Sequence, residues 1–230
     1  MKGWREFLKR FLPEPAGVPL AEQWRSALTA AAAVLAVTFM STALLHTPLF
    51  VAAALGASAV MVFALPASPL AQPWSVVMGY AVSALIGVTA ARLVPQLPLA
   101  AALAVGLCTL GMLALRCMHP PGGAVALFAV VGGDAVRTLG FQYVLSPVLT
   151  NALLLVMVAL VANNLIPGRH YPRRLQAPNL KPLMRLGLCH EDLERALEHY
   201  GRVIDVSGEE LDEILVIAEH EARERQAARR

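Results

Sequence analysis

The chain has 230 residues, a hydrophobic fraction of 57% and a formal net charge of +3 at pH 7. Its charge is unevenly distributed, since twelve of the sixteen acidic residues follow Cys189. Between Ser26 and Gly168 the charged residues are few: Asp134, Arg92, Arg116 and Arg137. Soluble domains carry about 25% charged residues, so this stretch excludes an ordinary soluble fold, and the small net charge gives no basis for nucleic-acid binding. The pattern indicates a membrane body followed by a soluble tail.

The first segment of the chain predicts a helix lying in the membrane interface. One side of this helix is apolar and the other is basic, which is typical of interfacial helices. The apolar positions are Trp4, Phe7, Leu8, Phe11 and Leu12, and the basic positions are Lys2, Arg5, Lys9 and Arg10. We expect the helix to end at Pro13 and Pro15.

Two apolar segments of different length come next. Residues 24–45 are long enough to cross a hydrocarbon core of about 30 Å at 1.5 Å per residue. Residues 48–65 form a shorter segment that stops at a turn with two prolines, residues 66–69. We therefore predict one full span and one short segment before this turn.

The second half of the body repeats this mixture of long and short segments. Spans are predicted at residues 74–94 and 97–115, joined by a connection so short that the pair must be antiparallel. A proline- and glycine-containing element at residues 120–133 is short for a full crossing. The last span covers residues 143–166. The predicted fold class is an all-α, polytopic transmembrane bundle of about six segments, two of them short or re-entrant.

Basic residues flank the body at both ends, which by the positive-inside rule places both termini in the cytoplasm. These residues are Lys2, Arg5, Lys9, Arg10 and Arg25, then Arg169, Arg173, Arg174 and Lys181. An even number of crossings is then required, so the short fifth segment must cross or be balanced by another re-entrant piece. We expect an interfacial segment at 1–23, a transmembrane domain at 24–168 and a cytoplasmic helical tail at 169–230, in a bacterial inner membrane.

The tail predicts two helices, at residues 191–200 and after the capping box at residues 207–210. A short amphipathic hairpin buries little apolar surface by itself, so we expect it to pack on a second protomer, another partner or the membrane body. A loosely ordered linker is the alternative.

The two halves of the body share a weak internal similarity. Each has a long, a short and a long segment, and each short segment follows a histidine with a proline two residues on, at residues 46–48 and 119–121. Three segments per half would make a 3+3 inverted repeat, as in many secondary transporters. The match is short and rich in alanine, so a chance similarity stays open.

His119 is the first candidate for a transport path. Histidine beside broken membrane segments is uncommon and is often functional, although an interfacial helix cap is the alternative. Pro120 and Pro121 withhold backbone donors, which breaks the helical pattern. Gly122 and Gly123 either expose backbone N–H groups to an anion at a helix start or allow close helix packing.

Three further residues are candidates for the same path. Ser58 lies among small residues and offers either a hydroxyl donor or a close packing contact. Arg116 precedes His119 by three residues, which places both on nearly one face if the helix continues, and it is either an anion-attracting charge or a positive-inside anchor. Asn151 in the last span either lines the path or makes an interhelical hydrogen bond.

The remaining charged residues of the body predict less. Arg92 resembles a snorkelling side chain, and Arg137 and Asp134 are interpreted as a pair at the outer surface. No nucleophile with an acid–base partner and no set of metal ligands is evident in the sequence. We therefore expect neither an enzyme nor a cofactor, and the expected partners are a small anion and the lipid bilayer.

Three ordered blocks closely resemble the HPP family of integral membrane proteins, over roughly residues 20–175. They are residues 55–60 with 66–73, residues 119–124, and residues 163–167 with 171–174. The family is named after its His-Pro-Pro motif, here His119, Pro120 and Pro121.

This resemblance implies a transporter or channel for a small monovalent anion, because plant chloroplast members are linked to nitrite transport. Some bacterial relatives continue into paired CBS modules that bind adenine nucleotides and usually dimerise, which favours a homodimer. The chain ends within what resembles the linker to those modules, so a naturally short member and a truncated chain are both open. The alternative function is a membrane sensor or anchor that passes a signal through the cytoplasmic tail.

Overall fold

A computed structural model of the protein describes residues 19–45 and 52–173, together with Leu215. The predicted interfacial helix, the histidine of the first half at position 46, and the tail helices lie outside the described residues. Within the described ranges every regular element is a helix, so the predicted all-α bundle is confirmed.

The predicted spans are confirmed to within a few residues. The helices are α1 (Leu20–Leu45), α2 (Ala52–Ala64), α3 (Pro73–Leu93), α4 (Leu97–Ala114), α5 (Pro121–Val131), α6 (Gly133–Leu139) and α7 (Thr150–Leu165). A 3₁₀ turn at Pro69–Ala71 precedes α3, and a π-helical segment at Val144–Leu149 leads into α7. The short helix α6 was not predicted from the sequence.

Prolines that interrupt the hydrophobic pattern mark helix starts. Pro73 begins α3, Pro98 is the second residue of α4 and Pro121 begins α5. The first backbone N–H groups of a helix have no intrahelical acceptor, so proline loses nothing there and its fixed φ already fits the helix. The same residues that make the sequence unlike an ordinary span therefore set the boundaries of its segments.

Four of the described helical stretches are long and apolar enough to cross a membrane: Leu20–Ala43, Pro73–Leu93, Leu97–Ala114 and Val144–Leu165. Helices α5 and α6 make a fifth only if they are taken as one broken span, because they are bent by 99° relative to each other. Helix α2 has 13 residues and α5 has 11. At 1.5 Å per residue these two helices measure about 20 Å and about 16 Å, well short of a hydrocarbon core of about 30 Å.

The connections divide the bundle into two faces. One, which we call the His119 face, carries residues 65–72, 115–120 and 166–173. The other, the Arg92 face, carries residues 94–96 and 131–143. An ion pair between Arg169 and Glu22 brings the start of α1 and the end of α7 together on the His119 face. The described body thus begins and ends on one side.

Helix α3 is central and uses small residues to approach its neighbours. Gly79, Ser83 and Gly87 recur at four-residue intervals, the spacing of small residues at membrane helix contacts. A Cβ at Gly79 would lie 2.7 Å from the Cβ of His119, and one at Gly87 would lie 2.6 Å from the Ala126 carbonyl oxygen. The absence of side chains at these two positions lets the His119 loop and α5 lie directly against α3.

Candidate functional site

His119 lies in the connection between α4 and α5, outside the spanning helices, and its side chain is 0% exposed. Its Nε2 is 2.7 Å from the Ser58 hydroxyl oxygen on α2, and that oxygen is 2.7 Å from the Tyr80 hydroxyl on α3. Its Nδ1 is 2.8 Å from the Leu70 carbonyl oxygen. These contacts form a polar chain from Tyr80 through Ser58 and His119 to Leu70.

The partners fix the direction of every hydrogen bond in this chain. A carbonyl oxygen only accepts, so His119 donates its Nδ1–H to Leu70. In the neutral imidazole Nε2 then accepts, and the Ser58 hydroxyl must donate to it. The hydroxyl of Tyr80 in turn donates to Ser58. Each polar atom of the buried chain has a partner, which is what low-dielectric surroundings require.

The neutral state of His119 follows from its surroundings. Burial lowers the pKa of the imidazole from 6.5 to about 4, and the hydrogen bond to Leu70 offsets this only in part. The Tyr80 ring lies 5.4 Å from the imidazole, between centroids, at a tilt of 59°. At neutral pH the side chain is therefore an uncharged donor and acceptor rather than a cation.

Residues 66–72, which we call the strap, hold the other end of the chain. The Tyr171 hydroxyl donates to the Ala71 carbonyl at 2.9 Å, and the backbone N–H of Arg173 donates to the Gln72 side-chain oxygen at 2.9 Å. Burial raises the pKa of the Tyr171 hydroxyl, which keeps it a donor. The strap therefore touches residues from the other two sequence blocks, so all three blocks meet at one place.

A second buried polar cluster anchors the same face. The Arg169 side chain is 7% exposed and donates to Glu22, to the Ser26 hydroxyl at 2.7 Å and to the Asn163 side-chain oxygen at 3.3 Å. Asn163 donates to the Val62 carbonyl at 3.2 Å. These bonds tie α1, α2 and α7 together beside the strap.

The structure brings some of the predicted site residues together and separates others. Ser58 and His119, predicted from opposite halves of the body, are in direct contact. Pro120 is exposed, while Pro121 is buried at the start of α5. The predicted shared face of Arg116 and His119 does not form, because α4 ends at Ala114 and Arg116 is exposed with a φ of 51°.

The two glycines of the motif differ in their surroundings. The N–H of Gly122 donates to the His119 carbonyl at 2.8 Å and that of Gly123 to the Pro120 carbonyl at 3.0 Å, so these donors are already used. A Cβ at Gly122 would lie 2.6 Å from the Ser83 hydroxyl oxygen, whereas one at Gly123 would meet nothing within 4 Å. For Gly122 the geometry favours close helix packing over anion binding by the backbone.

Asn151 is buried near the start of α7 and is 6% exposed. Its side-chain oxygen has no hydrogen-bond partner in the part of the chain that the structure describes. A buried, unpartnered amide oxygen is costly, and such a group often belongs to a functional region. This observation keeps Asn151 a candidate for the path, apart from the His119 chain.

A pocket of about 240 Å³ opens on the Arg92 face, between α3, α5 and α6. Its lining includes Arg92 and Arg137. The guanidinium carbon of Arg92 lies 4.9 Å from the centroid of the Phe141 ring. Among the described residues Arg137 makes no ion pair with Asp134, so the predicted surface pair is absent.

Comparison with known proteins identifies the family. The family model for the HPP transmembrane region matches residues 15–172. The chain belongs to the HPP transmembrane family. Its polar chain contains the histidine that gives the HPP family its name. No solved structure matches the chain.

Two curated relatives of this HPP protein are transmembrane proteins of Dictyostelium discoideum. One is 41% identical over 128 residues, which covers 54% of this chain and 41% of the relative. The other is 43% identical over 120 residues, which covers 50% of this chain and 42% of the relative. The match thus spans about two fifths of the length of each relative.

Sequence reasoning missed Tyr80, Leu70 and Tyr171 as parts of the HPP site. Tyr80 carried a usable signal, because it is the one tyrosine of its predicted span and a buried phenol needs a hydrogen-bond partner. Leu70 acts through its backbone carbonyl, which no side-chain pattern reveals. Tyr171 belongs to a block that was recognised, but its contact with the strap depends on long-range packing.

Proposed function

We propose that this HPP domain moves a small monovalent anion across the membrane, with nitrite as the best candidate. The observation that carries the proposal is the buried chain of Tyr80, Ser58 and His119 at the junction of the two short helices. An anchor needs only apolar spans, and buried polar groups oppose folding unless each is satisfied. A fully satisfied polar chain in such a place supports a function in transport.

The charges of the described body favour an anion over a cation. Its acidic residues are Glu22 and Asp134, and Glu22 is already paired with Arg169. Its cationic side chains include Arg92, Arg116 and Arg137, which make no ion pair with any described residue. An excess of unpaired positive charge attracts anions and lowers the cost of removing their hydration.

The chemistry of His119 suggests how an anion and a proton travel together. Protonation of Nε2 would break the hydrogen bond from Ser58 and place a cation in a buried site, which is costly unless an anion neutralises it. An anion that approaches His119 would therefore favour its protonation, and protonated His119 would in turn bind the anion more strongly. We propose coupled movement of the two, without covalent chemistry or a cofactor.

Membrane placement and assembly form part of the same proposal. Basic residues flank both ends of the body, so we propose that both ends face the cytoplasm of a plasma membrane. We also propose a homodimer, because the family resemblance implies one through the dimerising CBS modules of some bacterial relatives. Exposed apolar residues such as Leu35, Phe39 and Val161 would contact lipid or the second protomer.

Nitrite uptake into proteoliposomes tests this function, with His119→Gln, Ser58→Ala and Tyr80→Phe beside the unchanged protein. Glutamine keeps a hydrogen-bonding side chain at position 119 but cannot take up a proton near neutral pH. We expect at least tenfold slower uptake for His119→Gln and loss of its acceleration at low external pH. Thr89→Val is the matched control, because the exposed Thr89 hydroxyl bonds only within its own helix.

Uptake by His119→Gln at the rate and pH dependence of the unchanged protein would overturn the role of His119. Folded protein that gives no uptake of nitrite, nitrate or chloride would overturn transport of these anions. The sensor or anchor function would then take its place.

A further inference from the structure

We infer that the pocket on the Arg92 face is a binding site for a small oxyanion, built around Arg92 and Arg137. Its part in transport rests on the function proposed above, whereas binding itself can be measured without any transport. The site lies at the opposite end of the body from His119, so it would receive the ion before or after the buried chain does.

Glycines give this pocket its shape. Gly132 and Gly133 stand at the 99° bend between α5 and α6, and Gly133 has a φ of +78° that disfavours other residues. A Cβ at Gly132 would lie 2.7 Å from the Phe128 carbonyl oxygen. The bend turns α6 across the end of α5, and this brings Arg137 to the pocket that Arg92 lines from α3.

Arg92 is held in position without using its hydrogen-bond donors. Its guanidinium lies over the Phe141 ring, a cation–π contact that positions the group. It also lies against Gly140, where an added Cβ would come within 2.1 Å of Nη2. No described residue accepts a hydrogen bond from the Arg92 side chain. The planar guanidinium of Arg92 is therefore fixed in position, and its five N–H donors stay available to a ligand.

The charge and size of the pocket match a small oxyanion. Neither Arg92 nor Arg137 has a carboxylate partner among the described residues, and Asp134 does not line the pocket. A guanidinium fork suits two oxygens of one anion, as in carboxylate and phosphate recognition. A volume of 240 Å³ holds an anion of three or four atoms with several waters, each of which occupies about 30 Å³.

A lipid phosphate carries the same chemistry as a free oxyanion, so the test must separate the two sources. The pocket is at one end of the spanning helices, where headgroups also lie. We propose the free ion, because two arginines without an ion pair among the described residues line one pocket, together with small residues such as Ala91 and Ala129.

Binding of nitrogen-15 nitrite to the whole chain in uncharged detergent, followed by NMR line broadening at constant ionic strength, tests the site. We expect Arg92→Gln with Arg137→Gln to raise the Kd at least tenfold. Arg92→Lys keeps the charge but removes the paired N–H donors of the guanidinium, and we expect it to raise the Kd severalfold. Arg25→Gln removes one exposed charge from the opposite face, at a residue outside both proposed sites, and should leave the Kd unchanged.

Two results would overturn the site. One is a Kd that changes equally for the three positions, since general attraction to positive charge would then explain binding. The other is loss of nitrite binding when phospholipid is added to the micelles, since a lipid phosphate would then occupy the pocket.

Uptake measured on the same preparations separates this inference from the proposed transport. Normal uptake with no Arg92-dependent binding would overturn the pocket alone. Arg92-dependent binding by a protein that gives no uptake would overturn transport alone and leave the pocket as an anion site.

Discussion

The polar groups on the two faces of the body differ in their burial and in their partners. On the His119 face, His119, Ser58 and Tyr80 are buried and each has a hydrogen-bond partner. On the Arg92 face, Arg92 and Arg137 are exposed and have no ion pair with a described residue. The first arrangement gives a fixed internal structure, and the second leaves charges available to a ligand. Mutations at the two faces should therefore affect different properties.

The largest stability loss is expected from His119→Ala. It leaves the Ser58 hydroxyl without its acceptor and the Leu70 carbonyl without its donor, and unsatisfied buried groups cost about 1–3 kcal/mol each. We expect the free energy of unfolding to fall by about 3–5 kcal/mol, the range of severe buried substitutions. Denaturant unfolding in mild detergent measures this. A loss as small as that of Arg116→Ala would show that the chain adds little to the fold.

Acid should weaken the His119 face. Its folded pKa of about 4 lies below the unfolded value of 6.5, so the unfolded chain binds a proton first as pH falls. The free energy of unfolding is therefore highest above pH 6.5. It falls by about 3 kcal/mol as pH drops toward 4, at 1.36 kcal/mol per unit of difference between the two pKa values. Unfolding between pH 7 and pH 4 should show this loss in the unchanged protein and not in His119→Gln. The same pH dependence of the free energy of unfolding in both proteins would contradict this prediction.

A matched pair of glycine substitutions tests the packing around the motif. Gly122→Ala places a Cβ 2.6 Å from the Ser83 hydroxyl oxygen, and overpacking of this kind costs about 1–3 kcal/mol. Gly123→Ala meets nothing within 4 Å and should be neutral or stabilising by less than about 1 kcal/mol. Thermal unfolding of the two variants side by side provides the comparison. Equal melting temperatures would mean that α5 does not pack closely on α3 at Gly122.

The smallest stability effect is expected on the Arg92 face. Arg137 is exposed and without an ion pair among the described residues, so Arg137→Gln should change the free energy of unfolding by no more than about 0.5 kcal/mol. The same variant should weaken anion binding. A stability loss near that of His119→Ala would remove the difference between the two faces.

Much of the fold was predictable because membrane length and proline positions determine it. The spans follow from apolar runs, and the structure begins two helices at Pro73 and Pro121, each one residue from the predicted start. Helix α6 was missed because a seven-residue helix with two charges has no periodic signal. Helix α4 ends at Ala114, within one residue of the predicted end, so the helix does not continue to His119 and does not place Arg116 and His119 on one face.

The candidate site was predictable only in part. The rarity of histidine and serine in apolar sequence was enough to select His119 and Ser58, but their direct contact depends on how α2 packs against the motif loop. Arg92 and Arg137 were interpreted as surface residues because one sequence does not show the pocket between them. Their positions depend on Phe141, Gly140 and the bend at Gly132, which are tertiary features.

The end of the polar chain at Leu70 has a consequence for energy conservation. An amide carbonyl accepts a hydrogen bond but does not pass a proton onward, so the row of donors stops at the strap. A proton on His119 therefore cannot move further along this row while the hydrogen bonds keep this arrangement. In this arrangement the row does not conduct protons, so a membrane can contain this polar interior without a proton leak.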